Sequence, residues 1–446
     1  MNNLFKILFY LILFLPVACG CQKNTPEPPS PVEIKGTPAD SRWSLTEAYY
    51  GNETGSWLNE GKCYATSGEG RGKSYISATT EGNSKLSFGT MSGLSITGLQ
   101  SGDAIVVGVP VENLPGGTDV DFMITLGITS DSGPVEWIFE HKEGNEWKSG
   151  RSFMTLYGEG NHSSFTEHFS TGAALKNDTL LVRCRVTKGG GAEGTAFLAP
   201  INYESCRLMT YQTGRFPAAT DTKKVLALGN SFSFYSAPVW MLLELARSQG
   251  HDIDLRMNVK SSQTFSDHLS LTLSTAAVQE GGYDAALLQD QSTMHSNYYK
   301  NPSSTASKNT LEGTETLVKN IRKSSPACKV ILENTWSYPV SDYMGFGSYE
   351  AFDTALQGGT ALIADKVNAE ISPIGKAFAA AREEGFTLYY NDDKHQSEYG
   401  AYLCACVNYL MLYGGDFTDN PAADCNLPHK AAQNLRKIAK NTISNK

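Results

Sequence analysis

The chain has 446 residues and a formal charge of −9, and it is 40% hydrophobic, 10% aromatic and 19% charged. That length exceeds one ordinary domain and allows two with sizeable cores. The negative charge excludes a general nucleic-acid binder, which would show a basic face.

The N-terminus reads "MNNLFKILFYLILFLPVACGC", with one lysine, Lys6, and then an apolar run from Ile7 to Ala18. The run is too short to span a bilayer and fits the apolar region of a secretory leader. It resembles a bacterial lipoprotein signal, in which a cysteine after a small residue is lipidated and becomes the new N-terminus. Cys21 follows Gly20 and Cys19 follows Ala18. Pro16 is a poor third residue before Cys19, and both cysteines remain candidates. A plain secretory leader is the other reading. The resemblance implies a leader over 1–21 and a lipid-anchored protein of the bacterial envelope, periplasmic or surface-exposed. Residues 22–42 are rich in Pro and polar residues and read as an extended tether. Beyond the leader stand Cys63, Cys184, Cys206, Cys328, Cys404, Cys406 and Cys425, an odd, sparse set that is no disulfide framework. Most read as buried small hydrophobes. Cys184 and Cys206 fall in strand-like runs and can pair in an oxidising compartment. Cys404 and Cys406 point to different sides of a helix and make a poor metal pair.

Residues 43–217 carry short β-branched or alternating runs: "DAIVVGVPVE", "DFMITLGIT", "TLLVRCRVT" and "SCRLMTY". "PVEWIFEHKEGNEWK" reads as a hairpin turning at Glu143-Gly144-Asn145. Many short strands at this spacing predict an antiparallel β-sandwich. The region loosely resembles the jelly-roll, galactose-binding-like modules attached to carbohydrate-active enzymes. That implies sugar binding, with Trp57, Trp137 and Trp147 as candidate platforms. A sandwich that only supports its neighbour, with its tryptophans in the core, fits equally.

After the linker "TGRFPAATDTKK" the texture changes over 222–446. "KVLALGNS" predicts a strand, "APVWMLLELARSQG" a helix, "DIDLRMNV" a strand and 264–280 a helix. "DAALLQ", "KVILENTW" and "FTLYY" predict further strands. Helices are expected over "LEGTETLVKNIRKSS", between 349 and 385, and over "YGAYLCACVNYLMLYGG". Alternation of this kind predicts an α/β domain, a parallel sheet with helices on both faces. Its reactive groups collect at the carboxyl ends of the strands.

The first of those strands ends on Gly229-Asn230-Ser231. Alone, the stretch favours a helix cap by Ser231 or Ser233. A serine hydroxyl becomes a nucleophile only when a base takes its proton. Asp392 and His395 are three apart before the last of these helices. That spacing lets a carboxylate hold one imidazole nitrogen while the other faces a nucleophile. The order Ser…Asp-x-x-His across the sheet is more specific than either piece.

On these residues, segment 223–446 resembles an SGNH/GDSL-type hydrolase. "LGNSFS" matches the first block and "DDKHQSEYGAYL" the last. "GNSFS", "LLQDQS" and "NTWSYP" resemble a lipoprotein branch of that family found with carbohydrate-degrading systems. The resemblance implies a flavodoxin-like three-layer α/β/α fold, ester hydrolysis and a triad of Ser231, His395 and Asp392. The middle blocks depart from the pattern. "LLQDQS" puts Gln289 at the family's glycine, Gln291 at its asparagine and Ser292 at its aspartate. Gln291 can donate the same amide N–H from one methylene further out, with Gln289 as the fallback and a substrate contact. Both glutamines can instead satisfy loop backbone groups. Ser261 and Ser262 stand where a glycine N–H is expected, and a positive φ there disfavours serine. The oxyanion hole implied is the N–H of Ser231, that of Ser262 and the Gln291 amide. His268 reads as structural. Trp336 is a candidate substrate contact at the cleft rim, or packs the loop.

No metal constellation or cofactor motif is expected. His162 and His168 lack partner ligands, and Gly189-Gly190-Gly191 has no phosphate-loop context. The reading is a serine esterase acting on O-acetylated glycans, with no nucleic-acid partner and membrane contact only through the N-terminal lipid. The alternative is a non-catalytic glycan-binding lipoprotein on a hydrolase scaffold.

Overall fold

A computed structural model describes residues 41–45, 58–59, 62–64, 73–81, 85–89, 94–129, 132–155, 163–198, 206–211, 216–236, 238–259, 261–339, 343–425 and 427–444. The leader with Cys19 and Cys21, the tether up to residue 40, Trp57 and His162 lie outside these residues. No helix among the described residues is long and apolar enough to cross a membrane.

From Ser41 to Tyr211 the described chain is strands and turns, paired antiparallel throughout. One sheet orders 146–154, 134–143, 175–189, 104–114, 75–79, 62–64 and 58–59. The other places 163–170, 119–128, 195–198, 94–97 and 87–89 side by side, with 206–211 added beside 119–128 and 41–45 beside 206–211. Alternation decides what each strand buries. Ile105, Val107 and Val109 of one sheet share a core with Phe122, Ile124 and Leu126 of the other. The expected hairpin forms, with Glu146 opposite Glu143 and Gly144 at φ +58. Trp137 is fully buried and stacks on Phe153, and its indole N–H donates to Thr155 Oγ1 at 2.9 Å. It has no face for a sugar. Trp147 lies under the Arg183 guanidinium, 4.1 Å from its ring centroid. Cys184 and Cys206 sit on strands of different sheets, both buried in the shared core, and the disulfide they could have made is not formed. Burial, and then the neighbouring Cys206, push the Cys184 thiol up. His168 contacts Asp121 and Asp119, and among the described residues no group of three or more His, Cys, Asp or Glu is placed to hold a metal.

Beyond Asp221 the chain becomes α/β. Five parallel strands lie in the spatial order 251–259, 221–229, 285–288, 329–333, 370–372. That is second, first, third, fourth, fifth, the flavodoxin-like doubly wound order. The continuous apolar run of the first strand follows from burial on both faces. Val225 and Ala227 join one core with helices Pro238–Ser248, Glu398–Tyr413 and His429–Ser444. Leu226 and Leu228 join another with helices Thr272–Glu280 and Thr305–Ser324. The helix expected over 264–280 is two pieces, Phe265–His268 and Thr272–Glu280.

One expected strand is absent. "FTLYY" makes only an isolated bridge, Tyr389 with Gln396, and the fifth strand is instead Glu370–Ser372. Leu388 is buried and Tyr389 packs edge-on to Phe378, so this β-rich run serves as a packed loop.

The two halves are joined through the sheet. Ser164 pairs with Met257 and Phe165 with Arg256, antiparallel, which fuses both into one mixed twelve-stranded sheet. Helix Pro238–Ser248 lies over this seam. Its Trp240 indole N–H reaches Met209 Sδ at 2.7 Å, and its buried Arg247 pairs with Asp121. Arg151 and Asp252 close a further ion pair at 2.6 Å.

Candidate active site

The sheet order reverses between strands 221–229 and 285–288, which end together, Leu228 beside Leu288. In doubly wound sheets ligands bind outside the carboxyl ends of strands at such a switch point. Gly229-Asn230-Ser231 leaves one strand there, and Gln289-Asp290-Gln291 leaves the other. The turn between strand and helix is crowded. A Cβ on Gly229 would come within 2.2 Å of Ser233 Oγ and 3.0 Å of Gln289 Oε1, so glycine alone fits. Helix Ser231–Phe234 is capped by Asn230, whose Oδ1 accepts the Phe232 N–H at 3.2 Å. Asn230 Nδ2 also donates to the Gln263 carbonyl at 2.9 Å. Capping therefore falls to Asn230. Ser233 is buried and donates to Gln289 Oε1 at 3.1 Å, while Ser231 is half-buried as the first residue of the helix.

A polar chain supports this turn from below. Asn258 Nδ2 donates to Ser274 Oγ at 2.8 Å, Ser274 to His268 Nδ1 at 2.7 Å, and His268 Nε2 to the Gly229 carbonyl at 3.0 Å. Burial pushes the His268 pKa down to about 4, so the ring is neutral and structural.

Asp392 Oδ2 meets His395 Nδ1 at 2.5 Å. Its Oδ1 accepts the backbone N–H of His395 at 3.0 Å and of Lys394 at 3.1 Å. Burial raises the Asp392 carboxyl, but the hydrogen bonds from the His395 ring and from these two N–H groups overcome it and hold the carboxyl below its usual range. Tyr235 stacks on the imidazole at 3.9 Å and Phe232 meets it edge-on at 5.2 Å. His395 thus packs on the turn and helix that begin at Ser231. Its Nε2 is buried and has no hydrogen-bond partner among the described residues, so the bond to the Ser231 hydroxyl is not closed. Catalytic hydrogen bonds are often long before substrate arrives.

The two loops expected to hold the oxyanion are tied to each other. Asp290 Oδ1 accepts the N–H of Gln291 at 2.8 Å and of Phe265 at 2.9 Å. Burial pushes this carboxyl up to about 7, against the pull of the two N–H bonds. Its Oδ2 lies 3.8 Å from Nε2 of buried His295. His295 Nδ1 bonds Thr360 Oγ1 at 2.9 Å, and that hydroxyl donates to the Leu356 carbonyl, so the His295 proton sits on Nδ1. A neutral carboxyl facing the His295 lone pair is the state burial favours.

Gln291 Oε1 accepts from the Thr293 N–H at 2.9 Å and hydroxyl at 2.8 Å. This locks the carboxamide, and Nε2 makes one 3.3 Å contact to Ser292 Oγ. Ser261 and Ser262 are exposed, and Ser262 has φ +63. The left-handed geometry that favours glycine is therefore held by a serine, a strain of about 1–2 kcal/mol.

Two residues read as substrate contacts are corrected. Gln289 is 2% exposed, with Oε1 holding the Asn230 N–H and Ser233 and its amide turned to the Asp290 carbonyl. Trp336 is 2% exposed and sandwiched between Phe232 at 4.6 Å and Phe378 at 4.3 Å. Its indole N–H donates to the Lys394 carbonyl at 2.9 Å, so it braces the His395 loop from within. Gln396 escaped the sequence reading. Fully buried, its Nε2 donates to the carbonyls of Phe232 at 2.8 Å and Tyr235 at 2.6 Å. Ser236 Oγ returns a bond to the Gln396 carbonyl at 2.9 Å. The one available signal was an amide directly after the histidine.

No family model and no curated protein matches the chain. Solved structures do match parts of it. A DUF4886 family protein from Bacteroides uniformis is 22% identical, covering 50% of this chain and 95% of its own, with a TM-score of 0.38. A candidate SGNH hydrolase from Slackia heliotrinireducens is 20% identical, covering 42% and 97%, with a TM-score of 0.35. Axe2, an acetylxylan esterase from Geobacillus stearothermophilus, is 16% identical, covering 45% and 97%, with a TM-score of 0.32.

Proposed function

We propose that the chain is a serine esterase of the SGNH type that removes acetyl groups from O-acetylated glycans. One observation carries the reading: an imidazole held by a carboxylate at 2.5 Å packs on the helix of Ser231 and keeps its other nitrogen buried and unpartnered. His395 takes the Ser231 proton as Oγ attacks the ester carbonyl. The tetrahedral oxyanion is held by the N–H groups of Ser231 and Ser262 and by the Gln291 amide, each donor lowering the barrier by about 3 kcal/mol. As the C–O bond breaks, His395 returns the proton to the departing sugar oxygen and an acyl-enzyme remains. Water then attacks with His395 as base, releasing acetate and Ser231. The glycan rests on the family resemblance and the attached sandwich. The cell-envelope location, with a lipid on Cys21 or Cys19, rests on the N-terminal sequence alone.

The competing reading is a non-catalytic glycan binder, favoured by the strained Ser262 and the unclosed contact to Ser231. Fluorophosphonate labelling and acetate release from p-nitrophenyl acetate and acetylated xylan separate the two. Labelling lost in Ser231→Ala, with turnover above that variant, is expected. Wild type no more active than Ser231→Ala on every ester removes the esterase.

A further inference from the structure

We infer that Tyr390 is the stacking floor of a sugar subsite beside His395, made for the apolar face of a pyranose ring. In naming the ligand it rests on the esterase reading above. Four large hydrophobic residues are markedly exposed among the described ones, and Tyr390, at 46%, is one of them. Its backbone N–H donates to the His395 carbonyl at 2.7 Å, and the Asp393 N–H returns to the Tyr390 carbonyl at 3.0 Å. Asp393, at φ +57, makes the turn that closes this loop. The backbone that carries the ring is therefore fixed relative to that of His395. Tyr235, stacked on His395, touches Tyr390 only edge-to-face, with centroids 6.0 Å apart and planes at 65°. That single T-shaped contact covers at most one side of the ring, and the exposure of Tyr390 shows that ring surface stays open to solvent. The aromatic rings deeper in the site, Phe232 and Trp336, are already stacked against each other.

The surroundings decide what the open face suits. Asn391, Asp392 and Asp393 beside it are exposed and polar. A flat apolar face with a polar rim matches a ligand with an apolar C–H face and a hydroxyl periphery, which is a pyranose. A fatty acyl chain gains little there, because carboxylates flank the ring and give it no apolar groove to enter.

Calorimetric titration with acetylated xylo- and manno-oligosaccharides tests this in proteins that cannot turn them over. Ser231→Ala is expected to bind, Ser231→Ala/Tyr390→Ala to bind about 10-fold more weakly, and Ser231→Ala/Tyr390→Phe within about twofold of the parent. Equal affinity with and without the ring, or no binding by Ser231→Ala, overturns the subsite. Turnover of p-nitrophenyl acetate by the wild type, measured alongside, reports on the esterase separately. Tyr390-dependent binding without turnover keeps the subsite and removes the esterase. Turnover without such binding does the reverse.

Discussion

Gln396→Ala isolates what joins the His395 loop to helix Ser231–Phe234. The wild-type amide gives both hydrogens to carbonyls, the buried one of Phe232 at 2.8 Å and the half-buried one of Tyr235 at 2.6 Å. The opposite amide orientation would set an oxygen against two oxygens, so the assignment is chemically forced. Alanine leaves the buried Phe232 carbonyl unsatisfied and takes a donor from that of Tyr235. A buried unsatisfied group costs about 1–3 kcal/mol, which sets the expected loss in stability. It also frees His395 to drift from Ser231, and a shift of about 1 Å at a reacting pair lowers the rate about 100-fold. The expected signature is a fall in kcat with KM unchanged, read at a temperature where both proteins are folded. Gln396→Glu separates the hydrogen bonds from the cavity. It keeps the volume but faces the same carbonyls with acceptors, so its melting temperature is expected to fall as far as that of the alanine variant. Gln396→Ala labelling with fluorophosphonate at the wild-type rate, or Gln396→Glu melting with the wild type, refutes the clamp.

Asp392→Asn keeps the shape of the loop but removes the acceptor that fixes the imidazole tautomer, and kcat is expected to fall about 10³–10⁴-fold at pH 7. Asp290→Asn is expected to keep kcat within about threefold, because its Oδ1 still accepts the Phe265 and Gln291 N–H groups. Its pH behaviour has a definite sign: the Asp290 carboxyl, raised to about 7, makes the folded wild type lose stability as pH rises toward 7. The asparagine variant lacks that loss, and its advantage in chemical unfolding should grow by on the order of 3 kcal/mol from pH 5 to pH 8. A rate loss as large as that of Asp290→Ala would contradict it. Ser262→Gly relieves the positive φ and is expected to raise stability by about 0.5–1 kcal/mol without slowing turnover; a slower enzyme would mean the serine side chain contributes. A chain beginning at Thr222 should be insoluble or melt far below the full chain, because it leaves the edge of strand 251–259 unpaired and uncovers Trp240 and Met257, which share a core with Met123 and Met209.

Much of the parallel sheet was legible because its strands are buried on both faces. "VLALG" and "AALL" are unbroken apolar runs, and such runs point to a doubly covered sheet. The dyad was legible because a spacing of three between Asp392 and His395 lets one side chain reach the other. The failures are local. "FTLYY" has strong β propensity, but the Leu388 and Tyr389 side chains pack a loop instead. The true fifth strand, "EIS", is only three residues long and carries no period. Trp336 lies after a strand end, where a rim position is natural, yet two aromatic neighbours close over it. Gln396 and Asp290 act by hydrogen bonds to backbone groups distant in sequence, and no spacing rule reports those. Ser262 was suspect on its residue type alone, and its φ lies in the left-handed region that favours glycine.

The same distinction governs the sandwich. Its strands were legible by alternation, but its relation to the α/β half was not. A tethered module would meet its neighbour through a modest polar interface. Here strand 163–170 pairs with strand 251–259, which lies directly beside the strand that ends at Ser231. Without it, that edge would present unpaired backbone groups to solvent. Met123 and Met209 of the sandwich belong to the same core as Trp240, Val225 and Ala227. Helix Pro238–Ser248 follows helix Ser231–Phe234 almost at once and lies between the two halves. The sandwich therefore supports the position of Ser231 whether or not it touches a sugar, and its contribution should appear in kcat and stability before it appears in binding.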